Sequence, residues 1–361
     1  MHVEAGRFLY GGAKQVLHII SGLNQQGVEN ILLCPTDSVI AKSAEATTVV
    51  DEVPMAGDLD LMMFFRLRSK IRQHKPDVVH LHSRRGADIF GALAARAAGV
   101  PVVLSRRVDN PESKFVSRLK YGLYDHVITI SDAIRQVLLS QNVPADKVSL
   151  VHSAIDAAEY QQPESRELFL QEFELPADSL VLGVVAQLIA RKGHRYILDV
   201  LPNLLEQHAN AHLLIFGQGP LREALESSVR DAGLEESVTF TGFRDDLPRW
   251  LGCLDVLLHP VDMEGLGVSL LQAAAASVPI IGARAGGVPE IIEHEKSGLL
   301  IEVGDTQALL GAMNKLLADP EKRQQMGRHG KAIVERKFSV AQMVAGNLAI
   351  YKQLLSRSTS S

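Results

Sequence analysis

Short apolar segments rich in β-branched residues alternate with amphipathic helical patterns, and this alternation constrains the fold of the chain more than any other feature. In the first half, the predicted strands are 30–34, 77–81, 101–105, 126–130 and 148–152. The predicted helices between them are 13–27, 59–74, 86–98, 112–123 and 131–141. Repeated strand–helix units are typical of a parallel, doubly wound sheet with helices on both faces. Only His2, Val3 and Glu4 precede Gly6, so either the first strand is short or the natural start lies upstream.

The same alternation starts again after residue 165, and 361 residues are enough for two domains of roughly 150–200 residues each. The later predicted strands are 181–186, 211–216, 237–241, 255–259, 279–282 and 299–302. The later predicted helices are 194–208, 220–232, 246–252, 267–276, 288–293 and 305–318. We predict Rossmann-like domains at 1–162 and 163–337, joined by a polar linker near 160–166. A helix at 338–356 is expected to pack back toward the first domain, and 357–361 to be a disordered tail.

The composition is that of a globular protein with no strong charge bias. The net charge of −5 does not favour nucleic acid as a partner. The two cysteines, Cys34 and Cys253, have the spacing of neither a disulfide framework nor a zinc site. The sequence shows no signal peptide and no apolar run long enough for a transmembrane helix. We therefore expect a cytoplasmic protein.

Basic residues are concentrated in the first half of the chain. They are Arg66, Arg68, Lys70, Arg72, Lys75, Arg84, Arg85, Arg106 and Arg107. They form either a solvated face or a surface that attracts an acidic acceptor or the anionic cytoplasmic face of an inner membrane. The apolar segment 61–65 directly before them is either core or a peripheral membrane contact.

Two turns have residues suited to phosphate and hydroxyl groups. A buried strand at 181–186 leads to a turn that holds Arg191 and Lys192, then Gly193 and a helix. Lysine at such a turn is a compact counter-charge for phosphate, although it can also be an ordinary surface residue. Further along, Glu264 precedes two glycines and an apolar helix. The helix start offers free N–H groups and the positive end of a dipole, and the carboxylate accepts hydrogen bonds from hydroxyls.

Other short motifs extend this pattern in a fixed order. They are GGA (11–13), DVVHLH (77–82), GALAAR (91–96), VITIS (127–131), HSAID (152–156), QL and KGH within 187–194, FGQGP (216–220), TGF (241–243), EGLGVSLLQ (264–272), GGVPE (286–290), SGLL (297–300) and GD (304–305). With these motifs in this order, the chain resembles the retaining glycosyltransferases of the GT-B fold, glycosyltransferase family 4 (glycosyl transferases group 1).

The resemblance implies two doubly wound, Rossmann-like domains that face each other across a cleft. The second domain would hold a UDP- or GDP-linked sugar, and the first would hold the acceptor. Lys192 and Glu264 would be the catalytic residues: Lys192 corresponds to the lysine that binds the diphosphate, and Glu264 to the acidic residue that contacts hydroxyls of the donor sugar. The remaining donor-binding residues would be Gly11, Gly12, Gln187, Arg191, Gly265, Leu266, Gly267, Val268 and Gln272, and the acceptor-side residues His82, Arg84 and Arg107.

Three positions depart from the family pattern. Gln187 stands where the family usually has arginine, a charge that Arg191 can replace. Gln272 stands where the family has a glutamate that holds the ribose, and its amide can still accept from a ribose hydroxyl. Arg107 lies where the first domain often has a histidine, and a guanidinium clamps anions but does not act as a base.

No metal and no cofactor are expected. His80 and His82 alternate on a strand but have no third ligand nearby in the sequence, so we do not predict a metal site there. The departing diphosphate is thought to help deprotonate the acceptor in such enzymes, and lysine, arginine and a helix N-terminus suit its charge without a metal.

We therefore predict a retaining, metal-independent hexosyltransferase, with cell-envelope glycolipid or lipopolysaccharide synthesis as the suggested setting. Two alternatives remain open: a nucleotide-sugar epimerase or hydrolase of the same fold, and a nucleotide-sugar-binding subunit without catalysis. The sequence does not specify the base, sugar, acceptor or linkage.

Overall fold

The computed structural model describes residues 1–8, 11–44, 48–84 and 86–358, and the chain forms two compact units. The first unit is Met1–Ala154 together with the segment from Val340 onward, and the second is Ile155–Ser339. Arg85, part of the predicted basic cluster, and residues 359–361 of the predicted tail lie outside the described residues.

The first unit is built on a seven-stranded sheet in which all the neighbouring strands are parallel. Its strands are β1 (His2–Val3), β2 (Ile31–Cys34), β3 (Val49–Glu52), β4 (Val79–Leu81), β5 (Val102–Arg106), β6 (His126–Thr129) and β7 (Val148–Leu150). The strand order is β3-β2-β1-β4-β5-β6-β7, so the order reverses between β1 and β4. Strands β4, β5 and β6 are buried at every position, as expected where helices cover both faces.

Seven helices belong to the described part of the first unit. They are α1 (Gly11–Gln25), α2 (Val39–Ala44), α3 (Met62–His74), α4 (Ala87–Ala98), α5 (Lys114–Tyr121), α6 (Asp132–Ser140) and, from the end of the chain, α15 (Val340–Ser358). Helix α15 packs closely on α1, because a Cβ atom on Gly22 would lie only 2.4 Å from Val344 Cγ2. The helix continues to Ser358, so the prediction of a tail that is disordered from Arg357 is wrong for its first two residues.

The second unit repeats the architecture with six parallel strands in the order β10-β9-β8-β11-β12-β13. Its strands are β8 (Leu180–Val185), β9 (Ala211–Phe216), β10 (Val238–Gly242), β11 (Val256–His259), β12 (Ile280–Ala283) and β13 (Gly298–Ile301). Its helices are α7 (Arg166–Glu172), α8 (His194–Leu205), α9 (Arg222–Asp231), α10 (Leu247–Trp250), α11 (Val268–Ala275), α12 (Val288–Ile291), α13 (Thr306–Leu317) and α14 (Pro320–Lys337). Here the strand order reverses between β8 and β11.

The boundary between the units lies at Ala154/Ile155, eight residues before the predicted boundary at 162/163. Hydrogen bonds explain this position. The N–H of Ala154 donates to Gln15 at 2.7 Å in the first unit, whereas the N–H of Ile155 donates to Phe338 at 3.2 Å in the second. The polar composition of 156–170 suggested a linker, but the segment contains a 3₁₀ turn and the first residues of α7, on which Phe169 is fully buried.

Helix α14 was not predicted from the sequence because Gly327 and Gly330 in its interior are unfavourable for a helix, although Pro320 at its first position is compatible with a helix start. Gly327 is needed for packing. A Cβ on Gly327 would lie 1.8 Å from the carbonyl oxygen of Ser277, and Gly330 is buried next to Ala274 of α11. Among the described residues, no helix combines the length and apolar character that crossing a membrane requires.

Candidate functional site

In the second unit, the loop that carries Lys192 is held in place by its neighbour glycine. A 3₁₀ turn at Ala190–Lys192 follows β8, and Gly193 then begins α8 with a φ of +72°. A Cβ at Gly193 would lie 1.9 Å from the carbonyl oxygen of Pro260, directly after β11. Only glycine allows this backbone conformation together with this close approach. The loop after β8 is therefore packed against the loop after β11.

The packing of these two loops brings together the two predicted catalytic residues, which are 72 positions apart in the sequence. The Lys192 Nζ atom donates to Glu264 Oε2 at 2.5 Å, and both side chains are largely buried. A third group was not predicted: His259 Nε2, at the end of β11, donates to the same carboxylate oxygen at 2.9 Å. The site lies at the carboxyl ends of β8 and β11, where the strand order reverses and where open α/β sheets bind ligands.

The electrostatics of this cluster favour an ionised Glu264. Burial on its own would raise the pKa of Glu264, but the hydrogen bond from His259 and the nearby Lys192 ammonium hold it well below its ordinary value. Burial lowers the pKa of His259 despite the adjacent carboxylate, so the imidazole is neutral and its proton is on Nε2. The negative charge of Glu264 is thus balanced by Lys192.

The segment after Glu264 leads directly into the eight-residue helix α11. Gly265, Leu266 and Gly267 are buried, and Gly267 has a φ of +98° at the N-cap. The carbonyl of Glu264 accepts from the N–H of Gly287 at 3.1 Å, which ties this turn to the glycine pair at 286–287. A Cβ on Gly267 would lie 3.5 Å from Glu264 Cγ, so the N-terminal end of α11, which begins at Val268, lies next to Glu264.

Gln272 is in the middle of α11 and contacts a residue that the sequence did not indicate. Its Nε2 donates to the Oη of Tyr160 at 2.7 Å. Burial raises the pKa of Tyr160 to about 12, so the hydroxyl remains protonated at neutral pH. One of the two N–H groups of the Gln272 amide is thus engaged within the protein, and the carbonyl oxygen is the acceptor for the predicted ribose contact.

The two other predicted donor residues lie on the surface of the same loop. Gln187 follows β8 and is exposed, as is Arg191. The Arg191 guanidinium forms no ion pair or hydrogen bond with the described side chains, while its carbonyl accepts from the N–H of Asp262 at 2.9 Å. Arg191 is therefore available to a ligand, next to Lys192.

The first unit has its own cavity, of about 340 Å³, at the corresponding reversal point between β1 and β4. It is lined by three predicted acceptor-side residues, His82, Arg84 and Arg107, and by Gly12 from the first turn of α1. Gly11 is the first residue of that helix. Arg84 is exposed, whereas His82 is 2% exposed. The structure therefore brings these three side chains to one cavity, and their role in acceptor binding stays a prediction.

The lining of this cavity has an excess of positive charge. Two of its cations have partners: Lys120 pairs with Asp88 at 3.2 Å and with Glu112 at 3.0 Å, and Arg106 pairs with Glu112 at 3.2 Å. Arg107 has no ion pair with a described residue, and its Nε atom is buried without a hydrogen-bond partner among them. Burial lowers the pKa of Arg107, although Glu4 in the same cavity favours its charge.

Three histidines meet beneath the cavity, in a cluster that the local sequence did not indicate. His80 and His82 have no third histidine nearby in the sequence, but the parallel pairing of β1 with β4 places His2 opposite His80. One ring nitrogen from each of the three lies within 4.8 Å of the others. Five of the six ring nitrogens are hydrogen-bonded, to Asn30, Ser105, Tyr351 and one another, so a metal would have to displace several of these bonds.

Comparisons with known proteins agree with this architecture. A family model described as Glycosyltransferase Family 4 matches residues 10–159, and a model described as Glycosyl transferases group 1 matches residues 165–333. The two Rossmann-like units, each with a site at its reversal point, are those of a glycosyltransferase of the GT-B class. Because each unit matches its own model and the two models together span most of the sequence, the chain belongs to glycosyltransferase family 4.

A curated relative is the GDP-mannose-dependent alpha-(1-6)-phosphatidylinositol monomannoside mannosyltransferase of Mycobacterium tuberculosis. It is 29% identical over 283 residues, which cover 74% of this chain and 73% of the relative. Among solved structures, HepE of Anabaena in complex with UDP and glucose has a TM-score of 0.85 at 20% identity, with 98% of both chains covered. WaaG, a glycosyltransferase involved in lipopolysaccharide biosynthesis, has a TM-score of 0.75 at 17% identity, with 96% of this chain and 98% of WaaG covered.

Proposed function

We propose that the protein transfers a hexose or related sugar from a nucleotide-diphosphate-sugar to an acceptor hydroxyl, with retention of anomeric configuration and without a metal ion. The observation that carries this proposal is the Lys192–Glu264 pair at the N-terminal end of α11. It combines a cation for a diphosphate with a carboxylate for sugar hydroxyls at one end of one helix. Membership of a glycosyltransferase family makes transfer the reaction that such a site would serve.

The proposed chemistry consists mainly of positioning and charge stabilisation. The bond between the sugar C1 and the diphosphate oxygen breaks, and a bond from C1 to the acceptor oxygen forms. The acceptor proton passes to the departing diphosphate. Lys192, Arg191 and the N-terminal end of α11 stabilise the negative charge that develops on that group, while Glu264 fixes the sugar hydroxyls. Donor binding requires Lys192 to exchange Glu264 for the diphosphate.

Named relatives support a nucleotide-sugar donor and a lipid-linked acceptor. The mycobacterial relative is named for GDP-mannose and a phosphatidylinositol mannoside, and HepE was solved with UDP. WaaG and the galactosyltransferase WaaB are described for lipopolysaccharide. We therefore propose UDP- or GDP-linked sugars as donors and a cell-envelope glycolipid or lipopolysaccharide as the acceptor.

A surface of the first unit supports peripheral contact with an anionic membrane. Of the apolar segment 61–65, Met63 is fully buried, but Leu61, Met62 and Phe65 are 70%, 58% and 57% exposed. Basic residues follow on the same helix, α3. Co-sedimentation with vesicles of phosphatidylglycerol tests this contact, with phosphatidylcholine vesicles as the control. Binding to the anionic vesicles alone is expected, and the proposal fails if neither kind of vesicle binds the protein.

Product analysis tests the proposed reaction and separates it from its alternatives. The protein is incubated with UDP-glucose, UDP-galactose or GDP-mannose, with and without a glycolipid extract, in the presence of EDTA. The proposal predicts release of nucleoside diphosphate that depends on the extract, and a product whose anomeric configuration by NMR is that of the donor. Turnover without the extract would indicate an epimerase or hydrolase. Donor binding without any turnover would indicate a binding subunit.

A further inference from the structure

A chain of hydrogen bonds under the cavity of the first unit fixes which ring nitrogens carry protons. It begins at Asn30, whose Nδ2 donates to the carbonyl of Val28 at 2.8 Å. Because a backbone carbonyl only accepts, the orientation of the Asn30 amide is set, and its Oδ1 faces His2 Nε2 at 3.0 Å. His2 Nε2 must therefore carry a proton and donate it to Asn30.

The next bond transfers this constraint to His82. Burial lowers the pKa of His2 to about 3, so the ring is neutral and its Nδ1 has a free lone pair. That atom lies 2.9 Å from His82 Nε2, which must therefore donate. Burial also holds the pKa of His82 well below its ordinary value. A neutral ring protonated at Nε2 has an unprotonated Nδ1, so His82 Nδ1 is a hydrogen-bond acceptor.

His82 Nδ1 is buried and has no hydrogen-bond partner among the described residues, and the same is true of Arg107 Nε. Both residues line the same cavity. Each unsatisfied buried polar group costs free energy that a partner would recover, and among the described residues that line the cavity these two atoms are the ones in that state. One of these atoms is an acceptor and the other is a charged donor, and a ligand with a hydroxyl and an anionic oxygen offers the partner that each of them lacks.

We propose that this cavity binds an anionic acceptor: a sugar or polyol that donates a hydroxyl to His82 Nδ1 and accepts from Arg107 through a phosphate or carboxylate oxygen. The N-terminal turn of α1, which lines the cavity through Gly12 and Ala13, favours the same negative charge. His2 and Asn30 act as positioning residues, because they hold His82 in the tautomer that accepts. This inference rests on the proposed function and specifies the acceptor class.

The tautomer is measured directly on the intact protein labelled with ¹⁵N-histidine. The expected spectrum of His82 shows a protonated Nε2 and an unprotonated Nδ1 near neutral pH, with the signals assigned by their loss in His82→Gln. A protonated Nδ1 overturns the inference. The His2→Gln substitution removes the Nδ1 acceptor for His82 Nε2–H. It is expected to broaden the two ring ¹⁵N signals of His82 or to move the proton from Nε2 to Nδ1, whereas His126→Gln leaves these signals unchanged.

The ligand class is tested with glucose 6-phosphate as the probe, glucose as the neutral control and UDP as the alternative anion. Glucose 6-phosphate is expected to shift the His82 Nδ1 signal at a concentration at least tenfold lower than the concentration of glucose that is needed. UDP at the same concentrations is expected to leave the signal unchanged. A response to UDP but not to glucose 6-phosphate assigns the cavity anion to the donor and overturns the proposal. Equal responses to glucose and glucose 6-phosphate overturn the role of Arg107.

Matched variants separate a binding role from a structural one. His82→Gln keeps an amide near the Nε2 position but removes the Nδ1 acceptor, so it is expected to weaken glucose 6-phosphate binding about tenfold or more. His126→Gln is the control, because His126 is also a buried histidine of this sheet whose Nδ1 has no partner in the part of the chain that the structure describes, but it lies outside the cavity lining. Equal losses in both variants refute the proposal. Failure of the proposed function shows instead as the absence of sugar transfer by the wild type.

Discussion

Replacing Glu264 by glutamine should have opposite effects on the stability of the protein and on nucleotide binding. The substitution keeps the size of the side chain and removes its charge. In the structure, one oxygen of Glu264 accepts from Lys192 Nζ at 2.5 Å and from His259 Nε2 at 2.9 Å. The glutamine amide oxygen has two lone pairs and can accept from both donors, but the neutral amide leaves the Lys192 ammonium without a counter-charge.

The expected loss of stability follows from the burial of this pair. Removing one partner of a fully buried ion pair costs about 3–5 kcal/mol, and a hydrogen bond to a charged group contributes about 1.5–3 kcal/mol. The Lys192 and Glu264 side chains retain 12% and 13% of their exposure, so solvent reduces the cost. We expect the free energy of unfolding to decrease by about 2–3 kcal/mol.

The affinity of Glu264→Gln for nucleotides should not decrease together with its stability. In the wild type, a diphosphate must compete with Glu264 for Lys192, whereas in Glu264→Gln the ammonium has no competing carboxylate. We expect UDP or GDP to bind the variant as tightly as the wild type or more tightly, while sugar transfer is largely lost. Urea denaturation and titration calorimetry measure the two quantities on the same protein preparations.

The pH dependence gives the same prediction a second test. The pKa of Glu264 in the folded protein is well below the ordinary value of 4.5. Its contribution to stability is therefore complete above pH 4.5 and is lost as the pH falls through the folded pKa. The stability difference between the wild type and Glu264→Gln should be largest at neutral pH and should decrease below pH 4.5.

Glu302→Gln is the control for these experiments, because Glu302 forms an exposed pair with Arg284 and its side chain is 74% exposed. Exposed pairs contribute about 0–1 kcal/mol, so this variant should behave nearly as the wild type. The reasoning is refuted if Glu264→Gln retains full stability at neutral pH while its affinity for UDP and GDP falls tenfold.

Three further predictions concern the same unit. Gly193→Ala should lower the free energy of unfolding, measured by urea denaturation, by more than about 2 kcal/mol, because its Cβ would lie 1.9 Å from the Pro260 carbonyl oxygen. The control is Gly233→Ala, which has a similar positive φ but no atom within 4 Å of the added Cβ, and it should lower the free energy of unfolding by only about 1–2 kcal/mol. Gln272→Leu should weaken donor binding by about 1–3 kcal/mol and should leave Tyr160 without its 2.7 Å partner. Gln272→Glu should keep or improve donor binding. An equal loss of affinity for ribose and 2′,3′-dideoxyribose nucleotides in Gln272→Leu would contradict a ribose contact. Transfer should persist in EDTA, and full loss that magnesium or manganese restores would contradict metal independence.

The strand–helix rhythm was enough to predict both sheets, because a parallel strand buried on both faces has a continuous apolar sequence. The pairing of Lys192 with Glu264 is also consistent with sequence reasoning, since each follows a strand that borders the reversal point. The contribution of His259 was not predictable in the same way. It is the last residue of a buried strand, and nothing in its local sequence distinguishes a site histidine from a core histidine.

Contacts between residues distant in sequence account for the other features that were missed. His2 joins His80 and His82 only because β1 and β4 are adjacent and in a particular register. Tyr160 lies in a segment whose polar composition indicated a linker, yet its hydroxyl is bound by Gln272, 112 residues away. Helix α14 lacked a clear helical pattern in part because close contact with Ser277 requires a glycine at position 327. In each case the deciding partner lies outside the sequence window that defines the local pattern.

Titration calorimetry of UDP and GDP with the wild type, Lys192→Ala and Lys296→Ala tests the central claim most directly. Lys296 is the matched control because its side chain is 68% exposed and lies 3.8 Å from its nearest carboxylate. We expect one of the nucleotides to bind the wild type and Lys296→Ala equally, and Lys192→Ala at least about tenfold more weakly, which corresponds to the loss of about 1.5–3 kcal/mol from a charge-assisted contact. Equal affinity of Lys192→Ala and the wild type, or binding of neither nucleotide by the wild type, would contradict the assignment of this unit as the nucleotide-sugar site.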